Sequence, residues 1–293
     1  MTQLRVPLPA GYRVADVLAF YARDTEGVAE QVREDGFSKG IMLHGVPVRF
    51  DVVLAADAAQ CTLMADGALP RAILDAASDA LINMLALRID PAPFAECVRA
   101  DPLLGPLVAH RPGLRIVQSA TVFEALTWAI IGQQINLSFA IALRRTLILQ
   151  AGRQHSSGLW CYPEAADVTA LDVAALTSRK FSRSKADTLL RLAQLVASGT
   201  LSLARDVPLA EVSAQLLAIK GIGPWTVNYA LLRGYGYADC SLQGDVAVRT
   251  ALQRLLGADV KPDLAATEAW LAHYAPYRTM VAAYLWDSLA EPT

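Results

Sequence analysis

The chain reads as mainly α, with an all-helical domain over residues 91–293 preceded by a small α+β domain over residues 1–90. Three observations carry that expectation. Runs rich in β-branched and aromatic residues occur in the first 90 residues, Pro91-Ala-Pro93 interrupts the chain, and beyond it short amphipathic segments follow one another with Gly or Pro between them. With 54% hydrophobic and 18% charged side chains over 293 residues, the chain has ample material for a core, which excludes a disordered or low-complexity protein.

In the first part, Tyr12 to Arg23 has helical apolar spacing. Three strand-like runs follow, around Phe37 to Leu43, Val46 to Ala55 and Gln60 to Met64. Pro70 to Leu87 returns to a helical period, with Pro70 at a first-turn position where its missing N–H is not needed. In the second part the apolar spacing predicts helices at Pro93 to Ala100, Val122 to Ile131, Leu137 to Ala151, Val173 to Leu176 and Ser184 to Ala197. Five more are predicted at Leu209 to Ile219, Pro224 to Leu232, Asp245 to Leu256, Leu264 to Tyr274 and Tyr277 to Leu289.

Several chemistries lack their signals. Cys61, Cys97, Cys161 and Cys240 contain no C-x-x-C pair, so neither a zinc site nor an iron–sulfur loop is indicated. His44, His110, His155 and His273 are scattered, and no phosphate-binding loop of nucleotide hydrolases occurs. The N-terminus has no secretory pattern and the most apolar run falls short of a membrane span, so a cytoplasmic protein without membrane attachment is expected. Nothing signals an oligomer, and a monomer is expected.

The formal net charge of -2 argues against a protein that coats nucleic acid by bulk charge. The charge is uneven: residues 1–90 hold 8 basic and 12 acidic side chains, whereas residues 91–293 hold 18 and 16. Arg179, Lys180, Arg183, Lys185 and Arg191 cluster against a single Asp187. That cluster is either a solvated helix face or a phosphate-facing patch.

The most informative segment runs from Leu216 to Ala230. An apolar helix reaches Lys220, Gly221-Ile222-Gly223 makes a tight turn, and Pro224 opens a second helix. Glycine suits both turn positions because it adopts positive φ at little steric cost. The turn's amides then point outward at a helix N-terminus, which suits a phosphate without any side-chain charge. Ile222 can pack inward and hold the turn. Asp245 stands at the start of a later helix, where a carboxylate has an ordinary capping role. Behind a hairpin that grips a phosphate, it can also face a sugar carbon.

Gly221-Ile-Gly-Pro-Trp-Thr-Val-Asn-Tyr229, with Asp245 twenty residues after Trp225, resembles the helix-hairpin-helix, Gly/Pro-Asp superfamily of DNA glycosylases. Within it, the chain is most similar to the 3-methyladenine DNA glycosylase II (alkylbase) group. Arg111-Pro-Gly-Leu-Arg115, Phe123 to Ile135, Lys185 to Ala193 and Tyr277-Arg278 running to Trp286 extend the match over nearly the whole chain. The N-terminal α+β segment is similar to the extra domain of that group.

The resemblance implies a monofunctional enzyme acting on alkylated purines in double-stranded DNA, because Trp225 stands where bifunctional members carry a Schiff-base lysine. It implies Asp245 as the catalytic carboxylate, and Trp225, Tyr229 and Trp286 as the pocket for the flipped base. Stacking against electron-rich rings favours a cationic base. Gln133, Gln134, Gly221, Ile222, Gly223, Thr226 and Lys185 are implied DNA contacts, with Gln134 in the wedge position where an apolar residue is also found. The carbonyls of Leu217, Ile219 and Ile222 are implied ligands of a monovalent cation that takes no part in the chemistry; no other cofactor and no iron–sulfur cluster is implied. Gly244 leaves no second carboxylate beside Asp245, and Asp239 is the nearest other one. Two alternatives stay open: a non-catalytic module that binds damaged DNA, and a monofunctional glycosylase for a neutral lesion such as hypoxanthine or uracil.

Overall fold

A computed structural model describes residues 1–289. Five strands, β1 (Thr2–Pro7), β2 (Glu30–Arg33), β3 (Gly36–Leu43), β4 (Val46–Leu54) and β5 (Ala58–Ala65), form one antiparallel sheet in the order β1-β5-β4-β3-β2. The register is fixed by alternation, with Phe50 facing Leu63 and Val52 facing Cys61 across β4 and β5. Helix α1 (Val14–Tyr21) connects β1 to β2, and α2 (Arg71–Met84) follows β5. Pro70 stands one residue before α2 rather than within its first turn, and its carbonyl accepts from Ile73 N and Leu74 N.

Helices α3 (Ala92–Cys97), α4 (Leu104–His110), α5 (Val122–Gly132) and α6 (Leu137–Ala151) come next. A two-stranded ribbon of β6 (Arg153–Gln154) and β7 (Trp160–Cys161) precedes α7 (Ala165–Val168), α8 (Val173–Thr177) and α9 (Arg183–Ala197). The chain ends with α10 (Leu209–Leu217), α11 (Pro224–Ala230), α12 (Val246–Leu255), α13 (Leu264–Ala272) and α14 (Arg278–Ser288). A single π turn, Leu231–Tyr235, widens the helix after α11. The expected mainly helical architecture with a small α+β part is present.

Among the described residues, seven elements are not expected from the sequence: β1, β2, α4, the short ribbon strands β6 and β7, α7 and the π turn. β1 and β2 are edge strands; β1 is short but alternates polar and apolar residues (Gln3-Leu-Arg-Val6), whereas β2 has the polar sequence Glu-Gln-Val-Arg and shows no apolar alternation. α4 carries Gly105 and Pro106 in its first turn, where proline costs no hydrogen bond. α7 has only one turn and rests on reciprocal bonds between Glu164 and Asp167.

The sheet and the helices share one continuous core running from Leu8 to Leu285. A buried charge cluster ties them together. Lys39 on β3 donates to Glu30 on β2 at 2.5 Å and to Glu124 on α5 at 2.8 Å, and Arg144 on α6 reaches both carboxylates at 2.5 and 2.8 Å. Burial alone would raise the Glu30 carboxyl, but Arg144 and Lys39 outweigh it and hold it at about 2.

Candidate active site

The hairpin turn joins α10 to α11. Gly221 has φ +95, and a side chain there would collide with Thr188 Oγ1, so glycine is required on both counts. Gly223 departs from expectation. It is extended (φ −110, ψ 178) as the N-cap of α11, and open space lies where a Cβ would be. Positive φ does not explain it, and no neighbour would meet a Cβ there. Ile222 is 5% exposed and packs beneath the turn.

Gln133 follows α5 and clamps this hairpin. Its Nε2 donates to Gly221 O at 3.0 Å and to Thr226 Oγ1 at 2.9 Å. Thr226 is therefore buried under the turn, at 2% exposure, and its hydroxyl faces Gln133. The adjacent Gln134 is exposed and held at φ +56, the left-handed region that side chains other than glycine rarely occupy. Lys185 on α9 also turns inward. Its Nζ donates to Ile131 O at 2.7 Å and Gln133 O at 2.5 Å, satisfying carbonyls at the negative end of α5. Burial pushes the Lys185 pKa down. Arg179, Lys180, Arg183 and Arg191 remain exposed near the same helix.

Among the carbonyls of the turn, Ile219 O accepts from Ile222 N at 3.0 Å, and Leu217 is 47% exposed at the end of α10. Among the described residues no group of three or more His, Cys, Asp or Glu side chains could hold a metal ion.

Beside the hairpin lies a cleft of about 670 Å³. Trp225 and Tyr229, four residues apart on α11, stand on one face with ring centres 5.2 Å apart. Trp286 from α14 completes an aromatic wall, 6.5 Å from Tyr229. Trp128 on α5, which spacing alone did not single out, donates its Nε1 to Tyr229 Oη at 3.0 Å and fixes that ring.

Asp245 is the N-cap of α12. Its Oδ1 accepts from the amides of Ala247 and Val248, both at 2.9 Å, so the ordinary capping role is filled. Trp286 Nε1 donates to the same oxygen at 3.1 Å, and Trp225 Nε1 donates to Oδ2 at 3.0 Å. Four N–H groups fix the carboxylate at the cleft wall. Asp239 is elsewhere engaged, in a bidentate pair with Arg278 at 2.7 and 2.9 Å.

Residues 127–276 match the family profile described as HhH-GPD superfamily base excision DNA repair protein. The chain belongs to that superfamily. Residues 3–120 of this HhH-GPD protein match the AlkA N-terminal domain. The chain is 30% identical over 205 residues to the DNA-3-methyladenine glycosylase of Bacillus subtilis, covering 68% of each protein. It is 32% identical over 188 residues to YfjP of the same organism, covering 64% of this chain and 65% of YfjP, just under two thirds of that relative. In fold it is similar to the 3-methyladenine DNA-glycosylase from Archaeoglobus fulgidus, with a TM-score of 0.82 and 20% identity over 97% of both chains.

Proposed function

We propose that this HhH-GPD protein is a monofunctional DNA glycosylase that takes alkylated purines, such as 3-methyladenine and 7-methylguanine, out of duplex DNA and hydrolyses the N-glycosidic bond. The observation that carries the reading is the fixed carboxylate of Asp245, held by two amides and two indoles at the wall of an aromatic cleft.

The chemistry follows from that arrangement. As the bond between the base and C1′ lengthens, positive charge grows on the deoxyribose, and a pre-oriented carboxylate stabilises it without reorganising. A purine alkylated on a ring nitrogen departs as a neutral base, so little acid catalysis is needed. Trp225, Tyr229 and Trp286 offer π faces to the flipped base. No lysine lines the cleft among the described residues, which favours hydrolysis over Schiff-base chemistry and strand cleavage.

The DNA contacts divide into two kinds. Gly221 and Gly223 offer backbone to a phosphate, and Gln134 projects as the wedge that fills the gap left by the flipped nucleotide. Gln133, Thr226 and Lys185 act behind them, locking the wedge loop to the hairpin. The neutral carbonyls of Leu217, Ile219 and Ile222 suit a monovalent cation, since divalent ions draw carboxylates. Residues 1–90 then serve as scaffold and residues 91–293 as the catalytic domain, with Phe20 and Arg23 of the scaffold reaching the cleft. Alkylated duplex is the partner, the protein acts as a monomer, and the compartment is the bacterial cytoplasm.

The test is base release from duplex DNA containing 7-methylguanine. Free base should appear with strands that break only after hot alkali, and borohydride should trap no protein–DNA adduct. Tight binding of the damaged duplex with no base released would identify a binding module instead.

A further inference from the structure

The turn Arg111-Pro-Gly-Leu-Arg115 has no part in the chemistry above, yet it ties α1 and the end of α2 to α14. On one side Arg115 donates to Ala86 O at 3.1 Å, just past α2, and stands 5.8 Å from the ring centre of Tyr12. On the other side Tyr284 of α14, buried at 1% exposure, donates its hydroxyl to Arg111 O at 3.0 Å. The Arg111 side chain joins the two. A single nitrogen, Nη2, lies 3.1 Å from Asp16 Oδ1 on α1 and 3.2 Å from Asp287 Oδ1 on α14. Arg13 reaches the other Asp16 oxygen at 2.6 Å and fixes that carboxylate in turn.

Trp286 stands between the two grips on α14, two residues after Tyr284 and one before Asp287. It belongs to the last turn of the helix, which ends at Ser288, and last turns fray because their carbonyls lack partners within the helix. Asp287 adds to the difficulty, since a carboxylate near a helix C-terminus faces the negative end of the dipole. A cation on Asp287 offsets both effects. The turn has to stay in place for Trp286 Nε1 to reach Asp245 Oδ1 at 3.1 Å. Arg111, Asp16, Asp287, Trp286 and Asp245 all line the same cleft, so the bridge ends beside the carboxylate.

As a stability device the bridge contributes little. The side chains of Arg111, Asp16 and Asp287 are 31%, 12% and 20% exposed, so solvent screens the pairing. Arg111 Nε is buried without a hydrogen-bond partner, which offsets part of what the pairing gains. The remaining effect is on position.

We propose that Arg111 is a positioning residue for Asp245: its bridge from Asp16 to Asp287 holds the last turn of α14, so that Trp286 keeps the carboxylate aimed. Arg111 acts through Trp286 and takes no part in bond breaking. The inference rests on the glycosylase reading and gives α1 a share in the reaction through Asp16.

The test is single-turnover release of 7-methylguanine by wild type, R111M, W286F and the two substitutions together. R111M should release the base about fivefold or more slowly, with affinity for abasic duplex and melting temperature little changed. Because both residues act on one contact, their losses should not multiply, and R111M should cost less than about twofold once W286F is present. A merely structural role gives losses that multiply, and that result overturns the proposal, as does an R111M rate equal to wild type. D16N weakens the same bridge from α1 and keeps the test informative should R111M fold poorly. It should slow release in the wild-type background and cost less than about twofold in the W286F background; a folded D16N protein with the wild-type rate overturns the proposal. Release by wild type with multiplied losses ends this inference and leaves the glycosylase reading standing, whereas no release by wild type ends both.

Discussion

Trp286 and Asp245 are 41 residues apart in the chain, yet the indole Nε1 of Trp286 donates to Oδ1 of Asp245 at 3.1 Å. Trp225 makes the matching contact to Oδ2 at 3.0 Å. On the proposed function, the rings that would stack a flipped base are therefore the same rings that hold the carboxylate, and seating the base and orienting Asp245 would depend on one set of side chains.

Replacing Trp286 with Phe separates those two jobs. The ring surface remains, but Oδ1 keeps only the amides of Ala247 and Val248 as donors. One hydrogen bond to a charged group is worth about 1.5–3 kcal/mol, so single-turnover base release should slow by roughly 10- to 100-fold. Affinity for duplex carrying an abasic site should change little. An unchanged rate would show that the indole contact does not orient the carboxylate.

Gln134→Gly tests the wedge without burdening the backbone. Glycine accepts φ +56 freely, so the melting temperature should stay the same or rise, by the relief of about 1 kcal/mol. Base release from a fully paired duplex should fall, and release from a lesion in a mismatch, where unstacking costs less, should fall less. Equal losses on both substrates would remove Gln134 from the wedge role.

The buried cluster of Lys39, Glu30, Glu124 and Arg144 makes a stability prediction independent of DNA. Lys39→Met leaves two carboxylates facing one guanidinium and should cost about 3–5 kcal/mol in denaturant unfolding. Glu30 also sets an acid response. Its folded pKa of about 2 lies below the unfolded value of ~4.3, so its contribution is complete above ~4.3 and is lost as pH falls from there through about 2. Unfolding followed against pH should show that loss in wild type, and Glu30→Gln should flatten it.

Much of this was legible in the sequence because local periodicity and capping decide it. The helices around Trp225 and after Asp245, and strands β3 to β5, follow from apolar spacing, Pro224 and a carboxylate at a helix start. What escaped was set by distant partners. β2 is a polar edge that exists because β3 lies beside it, and the π turn at Leu231–Tyr235 has no local signature. Lys185 and Thr226 look like surface contacts until α5 brings its carbonyls and Gln133 over them.

Asp245→Asn is the most direct measurement of the central claim. Asparagine is as good an N-cap as aspartate, so α12 should be preserved while the negative charge facing the sugar and the acceptor for Trp225 Nε1 are lost. Single-turnover release of 7-methylguanine from duplex DNA should fall by about 100-fold or more, with binding of the damaged duplex retained. Release at the wild-type rate by a folded Asp245→Asn protein would contradict the account.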